Sequence, residues 1–291
     1  MLLTKTIEHY TNGLYAENKS ESTVRIYLLN LNQFKAHIGD LKIGDVTALH
    51  VRDFMASRRT KSTYTQHQAF RVLRTFFRWC MAEGFIEKYP MANIKAPELE
   101  QKVIQTFTRE EIQKMLAVCN VKKFIGARNR AIIALFLDTG MREAELAGLT
   151  LNDVDFRGGA IKLKGKGRKE RIVHINDKAR QSLWKYMLIR DVKCPKTELR
   201  LFLSEEMRPF TLDGLRTTIT KIGKAAGVKA HCHKFRHSCA IIFLRSGGSL
   251  ATLQHMLGHT NITTTMRYLT ALNSDDVINS HREHSPGDQF L

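Results

Sequence analysis

The chain has 291 residues, with 46 Lys and Arg against 28 Asp and Glu, so its formal net charge is +18. This length allows two domains with separate cores. The basic excess favours a polyanionic partner, and nucleic acid is a better candidate than a membrane surface. The alternative is a basic surface that only contacts solvent.

No apolar run approaches the roughly 18–20 residues of a membrane span, and the N-terminus lacks a signal peptide pattern. Five scattered cysteines fit a reducing compartment better than a disulfide framework, so we expect a cytoplasmic protein.

Two amphipathic helices are predicted in the first third of the chain, over residues 21–37 and 63–82. Both segments place apolar residues at helical intervals. The apolar positions are Val24, Tyr27 or Leu28, Leu31 and Phe34 in the first segment, and Phe70, Leu73, Phe76 or Phe77, and Cys80 in the second. These helices predict an all-α N-terminal domain.

The second of these helices carries a row of arginines beside its apolar stripe. Solvated helix faces usually mix charges of both signs, whereas this face is purely basic. We therefore predict that it contacts nucleic-acid phosphates. The residues assigned to this contact are Arg71, Arg74 and Arg78, with Arg58, Arg59 and Lys61 close by in the sequence.

A break between domains is predicted in residues 89–102, which contain two prolines and show no amphipathic period. Thr108 and Glu111 then have the spacing of a capping box, so a helix and a new domain begin near residue 105. The resulting assignment is a helical domain over 1–97, a linker over 98–104 and a second domain over 105–291.

Residues 160–175 alternate between apolar and polar side chains around a Gly-Lys-Gly turn, which predicts a β-hairpin with a basic tip. Ile161 and Leu163 share a face of the first arm. The inward face of the second arm is left open between two pairs, either Ile172 with His174 or Val173 with Ile175.

Four segments of the second domain contain residues suited to phosphoryl transfer. They are TGMREAELAGL (139–149), KGKGRKERIV (164–173), HKFRH (233–237) and QHMLGHTNITTTMRYL (254–269). Such a reaction needs positive donors around the non-bridging oxygens, an acid and a nucleophile, and guanidinium groups match phosphate geometry. Taken alone, each segment is ordinary, because its charged side chains can simply be solvated. The last segment is predicted to form a short Thr-rich helix, and its tyrosine, Tyr268, can simply pack in a core.

Together, in this order and spacing, the segments resemble the tyrosine recombinases, also called phage integrases, including Xer-type and transposon-encoded members. The resemblance implies six catalytic residues: Arg142, Lys166, His233, Arg236, His259 and Tyr268. Two features depart from the family pattern. Phe235 stands where Leu is commoner, and the residues after Tyr268, LTALNSDD, do not follow the commonest pattern.

The resemblance also implies a mechanism. Tyr268 attacks a backbone phosphate of duplex DNA, giving a 3′-phosphotyrosyl bond and a free 5′-hydroxyl, while the two arginines hold the non-bridging oxygens. Lys166 protonates the leaving oxygen, His233 takes part in acid–base chemistry and His259 hydrogen-bonds the phosphate. Two rounds of exchange through a Holliday junction then recombine the DNA, and no cofactor or metal is expected.

The fold implied by the resemblance is mainly α with a small antiparallel β-sheet. A SAM-like core-binding domain and a catalytic domain close as a C-shaped clamp on DNA. The family acts as a homotetramer on two duplexes, sometimes with accessory proteins, and a C-terminal segment is commonly donated to a neighbour, here residues 272–291. We expect nucleoid association, and no arm-binding domain ahead of the first helices.

Three other functions compete with recombination. A type IB topoisomerase would use the same chemistry on one duplex, and a DNA-binding regulator would keep the fold without catalysis. A metal site would use soft and borderline ligands that lie close in sequence, although their spacing matches no common zinc pattern. Those residues are His231, Cys232, His233 and Cys239. His233 is already assigned to catalysis, while His231 and Cys232 are otherwise interpreted as helix-start neighbours and Cys239 as a buried helix residue.

Overall fold

The computed structural model describes residues 1–99, 104–165, 170–195, 197–272 and 276. Over these residues the fold is helical apart from one small antiparallel sheet, which confirms the predicted fold class. The chain divides into two compact units, residues 1–102 and 103–291, each with its own hydrophobic core.

The described residues of the first unit include four α-helices. They are α1 (Leu3–Ala16), α2 (Glu21–Ile38), α3 (Ala48–Ser57) and α4 (Thr63–Ala82). The helices α2 and α4 confirm the two predicted from apolar spacing. Both are capped by a serine, since Ser20 and Ser62 each accept a hydrogen bond from the backbone N–H three residues later. Phe34 of α2 and Phe77 of α4 meet edge to face at 5.9 Å in the core.

The first part of residues 89–102 packs on the core of the first unit, within the domain assigned to residues 1–97, although its prolines and missing period had suggested a break there. Met91 is 3% exposed in the core of the first unit, and Tyr89 and Ile94 pack against it. Apolar side chains in this irregular segment therefore extend the core beyond α4. They are buried although their spacing follows no helical period.

The second unit contains eight α-helices among the described residues. They are α5 (Arg109–Ala117), α6 (Phe124–Thr139), α7 (Glu143–Gly148), α8 (Asp177–Lys193), α9 (Leu212–Ala225), α10 (Cys232–Arg245), α11 (Leu250–Leu257) and α12 (Ile262–Met266). The predicted capping box is confirmed at the start of α5. Thr108 Oγ1 accepts from the Glu111 backbone N–H at 3.2 Å, and Glu111 Oε2 accepts from that of Thr108 at 3.0 Å.

The sheet has three antiparallel strands in sequence order. They are β1 (Val154–Asp155), β2 (Ala160–Lys164) and β3 (Glu170–His174). The pairing of Ile161 with Val173 confirms the predicted hairpin arms. Val173 and Ile175 are buried while Ile172 is 66% exposed, so Val173 and Ile175 form the inward pair. The tip, residues 166–169, lies outside the described residues.

Phe235 lies at the centre of the second core. It is fully buried on α10, with its ring 4.6 Å from that of Phe107 and stacked at 5.7 Å on that of Phe136. The larger aromatic side chain at this position therefore joins α10 to α6 and to the segment before α5.

The Thr-rich helix is shorter than predicted. Asn261 caps the start of α12, its side chain accepting from the Thr263 N–H, and the helix ends at Met266. Tyr268 lies two residues beyond it, which corrects the prediction that the helix carries this tyrosine. The Tyr268 N–H bonds to the carbonyl of Thr265 at 3.0 Å, and this tighter turn replaces the α-helical pattern.

Within the described ranges, no helix is both long enough and apolar enough to cross a lipid bilayer. All five cysteines, Cys80, Cys119, Cys194, Cys232 and Cys239, are buried free thiols.

Phe235→Ala should lower the free energy of unfolding by about 3–5 kcal/mol, because it removes a fully buried aromatic ring and leaves a cavity. Urea unfolding followed by circular dichroism measures this change. Leu188→Ala is the matched control, since Leu188 is 55% exposed on α8 and should change stability by less than about 0.5 kcal/mol. Equal losses in the two variants would contradict this account of the core.

Candidate functional site

The turn that ends α11 brings two of the predicted catalytic arginines together. Arg236 Nη2 donates to the carbonyl of Leu257 at 2.8 Å, and Arg142 Nη2 donates to that of Gly258 at 3.0 Å. Gly258 has a φ of +64°, the left-handed conformation that favours glycine at a helix end. The Leu-Gly-His segment therefore positions both guanidinium groups through its backbone.

Arg236 projects from α10 and is only 3% exposed. Its Nη1 donates to the carbonyl of Gly140, at the end of α6, at 2.7 Å. Gly140 also has a positive φ, +58°, and a Cβ there would lie 2.7 Å from Leu257 Cδ2. Burial, together with the positive charge of Arg142, lowers the pKa of Arg236 to about 10, so the guanidinium remains charged at neutral pH.

Glu145 anchors Arg142 and a second arginine, Arg171. Its carboxylate accepts from Arg142 Nη1 at 3.0 Å and from Arg171 Nη1 and Nη2 at 2.6 and 2.9 Å. It also accepts from the Arg142 backbone N–H at 2.7 Å. Burial raises the pKa of Glu145, but these hydrogen bonds and charges outweigh it and hold the pKa below its usual value. The carboxylate is therefore ionised and fixes both arginines.

Arg171 links the hairpin to α11, because its Nε donates to the carbonyl of Met256 at 3.0 Å. Beside this link lies a cavity of about 550 Å³. Its lining includes Arg142, Gly165, Glu170, Arg171, Gly258 and His259. Lys166, the predicted catalytic lysine, lies outside the described residues, while Gly165 and Glu170 on either side of the tip line the cavity.

His259 contacts Arg236 through one ring nitrogen and Thr265 through the other, both at 2.8 Å. Burial and the positive charge of Arg236 lower the pKa of His259 to about 4, so the ring is neutral at neutral pH. Because a guanidinium can only donate, Nε2 must accept from it. The proton then lies on Nδ1 and is donated to Thr265 Oγ1, which fixes the tautomer.

Tyr268 is buried, with 2% of its surface exposed. Its ring packs in a small cluster with Ala240, Ile241, Leu244, Leu253 and Leu257. Its hydroxyl lies 3.1 Å from Nδ1 of His237. Burial raises the pKa of Tyr268, and the positive charges of Arg236 and Arg267 oppose that rise. Core packing of the ring and a polar contact of the hydroxyl therefore coexist in this residue.

His233 is exposed at the start of α10, and its ring lies 4.3 Å from that of His237. Burial of part of the imidazole and the charge of Arg236 lower the pKa of His233. His237 therefore contacts both His233 and Tyr268, and the buried Arg236 lies next to Tyr268.

The structure thus gathers five of the six predicted catalytic residues around α10 and the end of α11, with Lys166 outside the described residues. Sequence reasoning assigned no role to Glu145, His237 and Thr265, which contact them, or to Arg171, which contacts Glu145. All four stand inside the quoted segments, and Glu145 and His237 lie three residues after Arg142 and directly after Arg236. Their closeness in sequence to Arg142 and Arg236 is the pattern that could have predicted their roles, whereas no sequence neighbour of Arg171 indicates its contact with Glu145.

The basic residues predicted to contact phosphate lie in the first unit. Arg71, Arg74 and Arg78 are exposed on α4, as are Arg59 and Lys61 just before it. Arg58 differs, because its guanidinium lies over the Phe54 ring at 5.1 Å and donates to Gln33 Oε1 at 2.7 Å.

The histidine and cysteine cluster at the start of α10 has structural contacts. His231 precedes the helix and its Nδ1 accepts from the Lys234 N–H at 3.1 Å, while Cys232 and Cys239 are buried. The helix-start interpretation of His231 and Cys232 is confirmed. In the part of the chain that the structure describes, no group of three or more His, Cys, Asp or Glu side chains is arranged to hold a metal ion.

A helical unit that combines two guanidiniums, neutral imidazoles and a phenol has the groups required for phosphoryl transfer to a tyrosine. Residues 105–274 match the family model described as the phage integrase family. Residues 4–86 match the phage integrase N-terminal SAM-like domain. The chain therefore belongs to the phage integrase family, the tyrosine recombinases, and is a site-specific recombinase.

Curated relatives agree with this assignment over nearly the full chain. The chain is 31% identical over 279 residues to tyrosine recombinase XerC of Thermodesulfovibrio yellowstonii, covering 91% of this chain and 92% of the relative. It is 27% identical over 283 residues to tyrosine recombinase XerC of Bacillus subtilis, covering 93% and 92%.

Solved structures show the same fold. The Tn1549 transposon integrase in complex with a circular intermediate DNA matches with a TM-score of 0.78 at 18% identity, covering 97% of this chain and 99% of that one. The XerH site-specific recombinase bound to palindromic difH substrate, a post-cleavage complex, matches with a TM-score of 0.74 at 23% identity, covering 94% and 82%.

Thr265→Val should weaken the preference of His259 for the Nδ1–H tautomer, because valine keeps the shape of threonine but cannot accept the hydrogen bond from Nδ1–H, and only the Arg236 contact at Nε2 then favours that form. Nitrogen-15 NMR of the histidine rings should show the Nδ1–H form in the wild type and a mixture with the Nε2–H form in the variant. Thr265→Ser keeps a hydroxyl and serves as the control, with the wild-type tautomer expected. An Nε2–H form in the wild type would contradict the assignment.

Proposed function

We propose that the chain recombines DNA through covalent attack of Tyr268 on a backbone phosphate of duplex DNA. The observation that carries this proposal is the placement of Arg142 and Arg236 on successive carbonyls of one turn, next to His259 and beside the buried phenol. Guanidiniums fixed in this way bind the non-bridging oxygens and stabilise the charge that develops in the transition state.

The chemistry proceeds as a transesterification. The Tyr268 oxygen forms a bond to phosphorus as the bond to the 5′-oxygen breaks, which gives a 3′-phosphotyrosyl intermediate and a free 5′-hydroxyl. Lys166 donates the proton that the leaving oxygen takes up, and His233 assists in proton transfer. A 5′-hydroxyl from the partner duplex then attacks, and a second round through a Holliday junction completes recombination.

DNA binding is expected to rearrange two contacts of the free chain. The Tyr268 ring is buried, so its hydroxyl must become accessible to a phosphate. Nε2 of His259 accepts from Arg236, so donation to a phosphate oxygen requires release of that bond and a proton on Nε2. We therefore place the His259 contact with phosphate in the DNA-bound state.

The DNA partner is supported by the net charge of +18 and by the DNA complexes formed by the Tn1549 integrase and XerH. We propose that both domains contact duplex DNA, with the basic face of α4 toward phosphate. The active assembly is a tetramer on two sites, associated with the nucleoid in the cytoplasm. In it the segment 272–291, of which only residues 272 and 276 are described, docks on a neighbouring subunit.

Tyr268→Phe should bind DNA with unchanged affinity and form no covalent adduct, because it removes only the hydroxyl oxygen. The test uses labelled, nicked duplexes from the borders of the protein's own gene, with binding followed by gel shift and adducts by denaturing electrophoresis. Tyr186→Phe is the matched control, since Tyr186 is a buried tyrosine whose hydroxyl bonds to the Leu201 carbonyl in the core. An adduct from the Tyr268 variant would overturn the assignment, and site-independent relaxation of supercoiled plasmid by the wild type would favour a topoisomerase.

Replacing Arg71, Arg74 and Arg78 together by alanine should weaken DNA binding and flatten its salt dependence. Each lost phosphate contact should reduce the slope of log affinity against log salt by about 0.9. Fluorescence anisotropy over a range of salt concentrations measures both quantities. Arg180→Ala is the control, since Arg180 is already paired with Asp177 at 2.6 Å. An unchanged slope in the triple variant would remove the α4 face from the interface.

A further inference from the structure

His237 holds the hydroxyl of the tyrosine proposed as the nucleophile. It lies on α10 directly after Arg236, and its Nδ1 is 3.1 Å from the Tyr268 oxygen. The two rings meet edge to face at 5.6 Å, and the His237 ring also contacts that of His233 at 4.3 Å. The residue therefore contacts both the phenol and the exposed His233.

The other polar groups around the phenol cannot accept its proton. The two nearby cations, Arg236 and Arg267, carry only donors. Burial raises the pKa of the neighbouring Cys239 thiol to about 12, so that group is a protonated thiol. Both ring nitrogens of His259 are already bonded, to Arg236 and to Thr265. Among the described residues, this leaves His237 Nδ1 as the acceptor in contact with the hydroxyl.

We propose that His237 is a catalytic residue that accepts the phenolic proton of Tyr268 as the tyrosine attacks DNA. The O–H bond of Tyr268 breaks as its oxygen bonds to phosphorus, and the proton moves to Nδ1. In the reverse step, the phenolate that leaves phosphorus takes the same proton back from the imidazolium. This role rests on the proposed function of Tyr268 and adds, beside the proton transfer proposed for His233, a seventh residue that contacts the phenolic hydroxyl directly.

The charges around His237 keep its lone pair available. Burial lowers the pKa of His237 to about 4, and repulsion from the charges of Arg236 and Arg267, and from His233 and His231 whenever they are protonated, acts in the same direction. The imidazole is therefore neutral at neutral pH. A bound phosphodiester adds negative charge among these cations, which favours the protonated ring and strengthens the base when substrate is present.

His237→Asn separates proton transfer from positioning, because an asparagine side chain can still hydrogen-bond the hydroxyl but cannot take up its proton. At about pH 7 the rate of adduct formation on nicked duplex should fall by about 100- to 10,000-fold, with DNA affinity unchanged. The deficit should shrink by up to about tenfold per pH unit as the pH rises toward 9, because phenolate then forms without a base. A merely structural role would leave the deficit independent of pH.

Two outcomes would overturn the role of His237. One is a rate within a few-fold of the wild type at neutral pH, and the other is a deficit that stays constant with pH. Tyr268→Phe, tested in parallel, distinguishes failure of this inference from failure of the proposed function. If that variant still forms an adduct, the nucleophile is wrong, whereas its inactivity beside an active His237→Asn enzyme removes only the base.

Discussion

The buried guanidinium of Arg236 is the constraint on which the site depends. Its donors meet the backbone carbonyls at the ends of two helices, Gly140 after α6 and Leu257 in α11. Helix C-termini carry partial negative charge, so they can hold a cation without neutralising it fully. The bonds therefore fix three helices around one point and leave positive charge available to a phosphate. A carboxylate partner would hold the side chain equally well but would cancel that charge.

Negative charge is also scarce in the rest of the site. A single buried carboxylate, Glu145, orients both Arg142 and Arg171, so the local balance stays positive. The surrounding cations and burial lower the pKa of His233, His237 and His259, which keeps these rings neutral. Neutral imidazoles can accept or donate protons beside the arginines without adding repulsion. Binding of a phosphodiester would therefore relieve an excess of positive charge and alter the protonation of these rings.

Local patterns in the sequence predicted the elements that local physics determines. Apolar spacing identified α2 and α4, the Thr108 to Glu111 spacing identified the cap of α5, and alternation identified the hairpin. The end of α12 before Tyr268 was not predictable, because a tight turn and burial against α10 and α11 decide it. Met91 shows the same limit, since tertiary packing buries it in a stretch without helical or strand period.

The motifs also indicated which residues converge but not how they are held. The contacts of Glu145 with Arg171 and of His237 with Tyr268 join residues 26 and 31 positions apart, on different elements. No spacing rule reports such pairs, because they depend on how the hairpin, α10 and α11 pack. The most direct test of the account is to digest the trapped protein–DNA complex with nuclease and protease and map the linked residue by mass spectrometry. A nucleotide attached to Tyr268 through a 3′-phosphate is the predicted result, and attachment at any other residue would contradict the central claim.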